Sequence, residues 1–172
     1  MLQLSAALLN KPVLSLQTHE PVAIVVQPIC NPNNLKIEGF YCKDSMNGQK
    51  LVLLEQDIRE FSSLGFIVND YSVLTDPQEL VRLRDILDLN FDLIGKTVET
   101  VSGEKVGKVN DYATETTTMF VQKIYAAQSI LKSFTGGSLS IDRTQIVEIT
   151  PRRIIINDLL EQAPAIMPAA AS

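Results

Sequence analysis

One phrase is written twice in this chain. Phe66-Ile67-Val68-Asn69-Asp70 and Ile154-Ile155-Ile156-Asn157-Asp158 share the pattern apolar-apolar-apolar-Asn-Asp, and 88 positions separate them in a chain of 172 residues. A match at about half the chain length marks an internal duplication, which restricts the fold to two copies of one small unit. The match extends upstream. Leu9-Asn10-Lys11-Pro12-Val13 lies over Ile94-Gly95-Lys96-Thr97-Val98 at an offset of 85. Val22-Ala23-Ile24-Val25 lies over Val106-Gly107-Lys108-Val109 at 84, as do Leu35, Ile37, Phe40 and Tyr41 over Met119, Val121, Ile124 and Tyr125. Past a variable loop the offset is 88, and Ile58, Glu60 and Phe61 lie over Ile146, Glu148 and Ile149. The blocks keep their order, and the length changes fall in turn-rich stretches.

The second copy is the easier one to read. Lys96 to Val101 alternates polar and apolar residues, the period of a half-buried strand. Ser102-Gly103-Glu104 supplies turn chemistry, and Val106, Val109 and Tyr112 carry a strand that pairs back as a hairpin. Met119 to Tyr125 is a β-branched and aromatic run suited to a pleated surface. Lys132 to Ser138, with Gly136-Gly137, reads as a mobile loop. Gln145 to Ile149 and Arg153 to Ile156 form a hairpin across Thr150-Pro151-Arg152. Short strands with turns between them predict a strongly bent sheet closed into a small barrel, because closure removes exposed edges. The first copy follows the same plan, with Thr18-His19-Glu20-Pro21 as its first turn and Asn47-Gly48 in its variable loop.

Between the copies the period changes. Asp76-Pro77 places a cap residue before a proline suited to a first helical position. Leu80, Leu83, Ile86 or Leu87, and Leu89 then recur at helical steps, predicting an amphipathic helix of about four turns from Pro77 to Asn90. Leu80, Leu83 and Leu87 are expected to bury against barrel residues, making the helix a strut. The resulting layout is a first barrel over residues 1–76, a linker helix over 77–92, a second barrel over 93–162 and an Ala/Pro-rich disordered tail over 163–172.

Composition narrows the partners. With 6% aromatic residues and no Trp, each core must be built from Val, Ile and Leu. The formal net charge of −5 is uneven: residues 1–76 hold five basic and eight acidic side chains, residues 94–158 eight and seven. Such a surface disfavours general nucleic-acid binding, and no direct DNA contact is expected. The N-terminal apolar stretch has no basic region before it and no usable cleavage site, so it does not read as a signal peptide. No apolar run approaches the ~20 residues of a membrane helix. A cytoplasmic setting is the expectation.

The chain offers little chemistry. Cys30 and Cys42 lie in the first copy without counterparts, and a metal site would need two further ligands. Free thiols with ordinary packing are expected, and no metal or cofactor. His19 sits in a hairpin turn, with Glu104 at its place in the second copy and no nucleophile motif beside it. Asn69-Asp70 and Asn157-Asp158 end strands, where such side chains cap and turn the backbone. The Gly pairs form no phosphate loop, because no strand-to-helix junction follows them. No enzyme is expected. Lys105, Lys108, Arg152 and Arg153 all belong to the more basic copy. They read either as a solvated strand face or as a docking patch for an acidic partner, in which Arg is the better anchor.

Leu93-Ile94-Gly95-Lys96-Thr97-Val98 and Gly103-Glu104-Lys105-Val106-Gly107-Lys108-Val109 resemble the PRC-barrel family, and Ile141 to Ile146 with Arg153 to Asn157 look like its later strands. The resemblance covers most of residues 93–158. In the first copy Asn10 replaces Gly95, and Thr18 and Ala23 stand for the hairpin glycines. The resemblance implies a mainly β protein of two tandem PRC-type β-barrels joined by an amphipathic α-helix. It also implies a non-catalytic module that binds a protein partner. Family settings include the photosynthetic reaction-centre H subunit, RimM-type ribosome maturation factors and archaeal cell-division adaptors. A tandem protein-binding adaptor is the favoured expectation. The alternatives are an RNA-processing or ribosome-assembly factor related to RimM-type proteins, and a small-molecule sensor binding between the barrels.

Overall fold

A computed structural model describes residues 1–128 and 137–158. The expectations for residues 132–136 of the mobile loop and for the tail 163–172 lie outside the described residues. The first half runs β1 (Leu2–Leu4), α1 (Ser5–Leu8), β2 (Pro12–Ser15), β3 (Pro21–Asn31), β4 (Lys36–Asp44), β5 (Lys50–Leu54), β6 (Ile58–Ser62), β7 (Gly65–Val68) and β8 (Leu74–Thr75). After α2 (Arg84–Leu89) come β9 (Thr97–Thr100), β10 (Lys105–Glu115), β11 (Phe120–Ala127), β12 (Ser138–Asp142), β13 (Ile146–Ile149) and β14 (Arg153–Ile156). The protein is mainly β.

The two halves share one topology. Their strand orders are β6-β7-β2-β3-β4-β5 and β13-β14-β9-β10-β11-β12, and the repeated phrases form β7 and β14. Each pairs in parallel with its neighbour, Phe66 opposite Val13 in β2 and Ile154 opposite Val98 in β9, and these are the two parallel pairings among the described residues. Even the irregularities repeat. Register shifts fall between Val25 and Gln27 and between Val109 and Asp111, then between Ile29 and Cys30 and between Ala113 and Thr114. A bulge breaks register and twists its strand, so retaining both preserves the bend of each sheet. Turn hydrogen bonds repeat as well: Leu16 N donates to Val68 O at 2.9 Å, and Val101 N donates to Ile156 O at 2.9 Å.

The halves join into one sheet where equivalent strands meet. β4 and β11 run antiparallel with Lys36 opposite Phe120. Ile37 N donates to Met119 O at 2.8 Å and Val121 N donates to Leu35 O at 2.9 Å. Under the offset of 84 these two bonds exchange places, so the junction is isologous, like a two-fold dimer interface within one chain. Leu35 and Met119 are both buried and both left-handed, with φ of 57° and 56°. The segment before each unit also crosses to the other one. β1 pairs with β10, Leu2 opposite Glu115, while Ile86 and Leu87 of α2 sit beside Gln27, Pro28 and Ile29 of β3. One continuous cluster of buried side chains spans both units. In the first it centres on Phe40, Phe61 and Phe66, with ring centroids 4.8 Å apart in each adjacent pair. Their equivalents in the second are Ile124, Ile149 and Ile154.

Two expectations are corrected. The sheet is not closed into barrels. β5 and β6 are joined by a 3₁₀ turn over Glu55–Asp57, and β12 and β13 by one over Arg143–Gln145. Such a turn makes a corner rather than a hairpin, so those strands do not pair, and β8 occupies the free edge of β5 instead. The linker helix is also shorter than expected. Asp76 does cap and Pro77 does start a turn, but that turn is 3₁₀ and ends at Glu79. Leu80 leaves helical geometry at φ −84° and ψ 71°, and the Arg84 guanidinium donates to Gln78 O at 2.7 Å, occupying a carbonyl that a continuous helix would use. Leu80, Leu83 and Leu87 are therefore half-buried rather than buried.

A shared core predicts shared unfolding. Phe40→Ala and Ile124→Ala, equivalent positions in the two units, should each cost about 3 kcal/mol. Each should lower the midpoint of a single denaturant transition for the whole chain. Two separate transitions, only one of them shifted, would mean that the units fold independently.

Candidate interaction face

Of the four basic residues singled out in the sequence, the fold gathers three on one face. β9 lies between β10 and β14, with Lys105 opposite Glu99, Lys108 opposite Thr97 and Arg153 opposite Thr97. Residues directly opposite one another project to the same side of a sheet. Val98, Ile154 and Ile156 alternate with them and are buried in the core, so the cations face outward. Arg152 stands beside this row in the turn after β13, whose shape is set by Thr150: its N and Oγ1 donate to Arg153 O at 2.9 and 3.0 Å. A concavity of about 540 Å³ lies between this turn and β9, lined by Thr97, Glu99, Thr150, Pro151, Arg152 and Arg153.

The face is not uniformly basic. Arg153 Nη1 donates to Glu99 Oε2 at 2.9 Å, which holds the guanidinium over β9. Glu148 lies opposite Ile155 on the same side. The cations are thus interleaved with carboxylates, a pattern that selects for paired geometry more than for raw negative potential. At the positions equivalent to Lys105, Lys108, Arg152 and Arg153 the first unit carries Pro21, Ile24, Leu64 and Gly65. That contrast was readable in the aligned sequence at offsets of 84 and 88, and the charge counts alone did not expose it.

The remaining candidates resolve into framework. Cys30 and Cys42 are buried free thiols, and burial pushes both up to about 12, with Asp92 and Glu38 adding to the effect at Cys30. Thiols in that state are poor nucleophiles. His19 sits at an exposed turn with φ of 61°, and its counterpart is Gly103 at 86°, correcting both the pairing with Glu104 and that of Gly103 with Thr18. His19 N donates to Ser15 O at 2.8 Å, and Gly103 N to Thr100 O at 2.9 Å. The two retained Asp residues are caps. Asp70 caps the turn Tyr71–Val73 by accepting from Ser72 N at 2.7 Å. Asp158 reaches back to the hairpin tip and accepts from Ser102 N at 3.2 Å and Ser102 Oγ at 2.7 Å.

No protein-family model matches this chain, and no curated protein is significantly similar to it. No helix among the described residues is long and apolar enough to cross a membrane.

The caps carry a pH signature. Hydrogen bonds from the Ser72 hydroxyl hold Asp70, and from the Ser102 hydroxyl hold Asp158, below the usual carboxylate range. A carboxyl that is more acidic in the folded state contributes fully above its unfolded value of about 3.9, and the contribution fades as pH falls through the folded value. The doubly substituted Asp70→Asn, Asp158→Asn protein should therefore lose less thermal stability than wild type between about pH 6 and pH 3. Equal losses in melting temperature would show that these caps do not carry the acid response.

Proposed function

We propose that this protein is a non-catalytic adaptor built from two PRC-type units, docking an acidic protein partner on the outer face of the second unit. Lys108, Arg152 and Arg153 are the anchors, with Lys105 at the edge of the row. The observation that carries this reading is the contrast between equivalent positions. The first unit builds the same strands with Pro21 and Ile24 and carries Leu64 in its turn, so the fold itself does not call for cations at those three positions. At Gly65 the backbone is left-handed with φ of 137° and lies against the Pro12 carbonyl, so that turn differs in shape. The shape is also preset, because Glu99 fixes Arg153 and Thr150 fixes the turn that presents Arg152. Anchors whose rotamers are already held lose less entropy on docking. Glu99 and Glu148 among the cations disfavour the RNA or ribosome reading, since a phosphate backbone gains nothing from carboxylates in its track.

The test is capture of partners from native extract by wild-type protein and by a Lys108→Glu, Arg152→Glu variant, read by quantitative mass spectrometry. Arg153 is left in place so that Glu99 keeps its partner. One protein should be enriched by wild type, insensitive to nuclease, and reduced about tenfold in the variant, as expected when two anchoring charges are reversed. Equal recovery would reduce the face to solvated surface. Recovery abolished by nuclease would favour the RNA reading.

A further inference from the structure

The outer face of the first unit is apolar where the fold does not require it. Ile24 lies opposite Pro12 on one side and Lys43 on the other, and Leu14 lies opposite Ile67, so these residues share one side of the sheet. The alternating residues Val13, Ala23, Val25 and Phe66 are fully buried on the inner side. Ile24 is 44% exposed, Val26 at the neighbouring bulge 52% and Leu64 in the adjacent turn 69%. The second unit provides an internal control. In the same topology and register it meets Pro12, Leu14, Ile24, Val26 and Leu64 with Thr97, Glu99, Lys108, Asn110 and Arg152. Of these five positions, polar in the second copy and apolar in the first, Ile24, Val26 and Leu64 are exposed and Pro12 and Leu14 beside them are half-buried. Burial within the chain does not account for that choice, and contiguous exposed apolar surface of this kind marks an interaction site.

The rim identifies the chemistry of the occupant. Lys43 continues the row from Ile24, and Lys50 lies opposite Lys43. The Lys50 ammonium is 3.8 Å from the centroid of the Tyr41 ring, which holds it along the edge of the sheet. The opposite edge carries Glu60, exposed and opposite Ile67, so the cations border only the β4–β5 end. An apolar stripe with two ammonium groups at that end complements a segment that carries apolar residues with acidic ones toward that end. We propose that this face, Pro12, Leu14, Ile24, Val26, Leu64 and Ile67 with Lys43 and Lys50, is a second docking site that takes an apolar, acidic segment of a partner protein. It is separate from the basic face of the second unit and does not depend on that reading.

The probe is a fluorescently labelled decapeptide alternating leucine and glutamate, titrated with the full chain and read by anisotropy. Leucine–lysine and serine–glutamate decapeptides serve as controls. Wild type should bind the leucine–glutamate peptide and neither control. The Ile24→Lys, Leu64→Arg variant introduces the residue types that the second unit carries at these positions, so it should fold and weaken binding about tenfold or more. A separate Lys43→Glu variant, outside the apolar stripe, should weaken it several-fold and removes dependence on the folding of the first. No binding of the leucine–glutamate peptide, equal binding of the leucine–lysine peptide, or unchanged binding by both variants overturns the proposal. Concentration-dependent dimerisation of wild type that Ile24→Lys abolishes would overturn it in favour of a second copy of this chain. Sedimentation with phosphatidylglycerol vesicles that depends on Ile24 would overturn it in favour of a membrane surface.

Discussion

Two amide hydrogen bonds, Ile37 N to Met119 O and Val121 N to Leu35 O, make one sheet out of two units. Their geometry depends on Leu35 and Met119 adopting left-handed backbone, which costs a non-glycine residue about 1–2 kcal/mol each. Both side chains are buried at 3% and 2% exposure, and burying a side chain of that size returns about as much or more. The hairpin tips themselves stay exposed, but the left-handed residue that follows each tip is buried in the core shared by both units. Around the junction the symmetry is broken for charge. Phe120 lies under the Arg143 guanidinium at 4.6 Å, Lys36 pairs with Glu55 at 3.0 Å, and Arg143 donates to Asn34 O of the opposite unit at 2.8 Å. The remaining architecture follows from this union. The leader of each unit crosses onto its neighbour, and the core runs through without interruption.

The duplication, the strand content and the equivalence of β7 with β14 were legible because each rests on period and spacing, which sequence records directly. The barrel closure and the long helix were not, and for definite reasons. Closure is decided at the corners Glu55–Asp57 and Arg143–Gln145, where three polar residues give no sign of whether the chain turns back or turns away. The helix pattern in Leu80, Leu83 and Leu87 was real. A competing hydrogen bond from the Arg84 side chain to Gln78 O and the departure of Leu80 from helical geometry shorten it to Arg84–Leu89. Propensity gave way to a tertiary contact, the docking of Ile86 and Leu87 beside β3.

For the candidate face, the sequence supplied the residue types and the structure supplied their register. Lys108, Thr97 and Arg153 lie in one row across three strands, a relation that needs the pairing of β14 with β9 from residues more than fifty positions apart. The more informative signal lay in the difference between copies. Buried positions of the two units match in character, as Val13 with Val98 and Phe66 with Ile154. Several outer positions diverge from apolar to polar or charged, as Ile24 to Lys108, Val26 to Asn110 and Leu64 to Arg152. Selection on folding acts on the first set, and the second set is where the two copies have been free to acquire different surfaces.

The claim on which everything else stands is that equivalent strands of the two copies are hydrogen-bonded to each other at the centre of the molecule. Native-state hydrogen exchange, resolved by residue, tests it at the amides of Ile37 and Val121. Both should exchange only through global unfolding, with protection equal to that of Cys42 and Ala126 in the interior of β4 and β11. Exchange of Ile37 and Val121 at the rate of an open hairpin tip, while Cys42 and Ala126 stay protected, would contradict the junction and leave two units side by side.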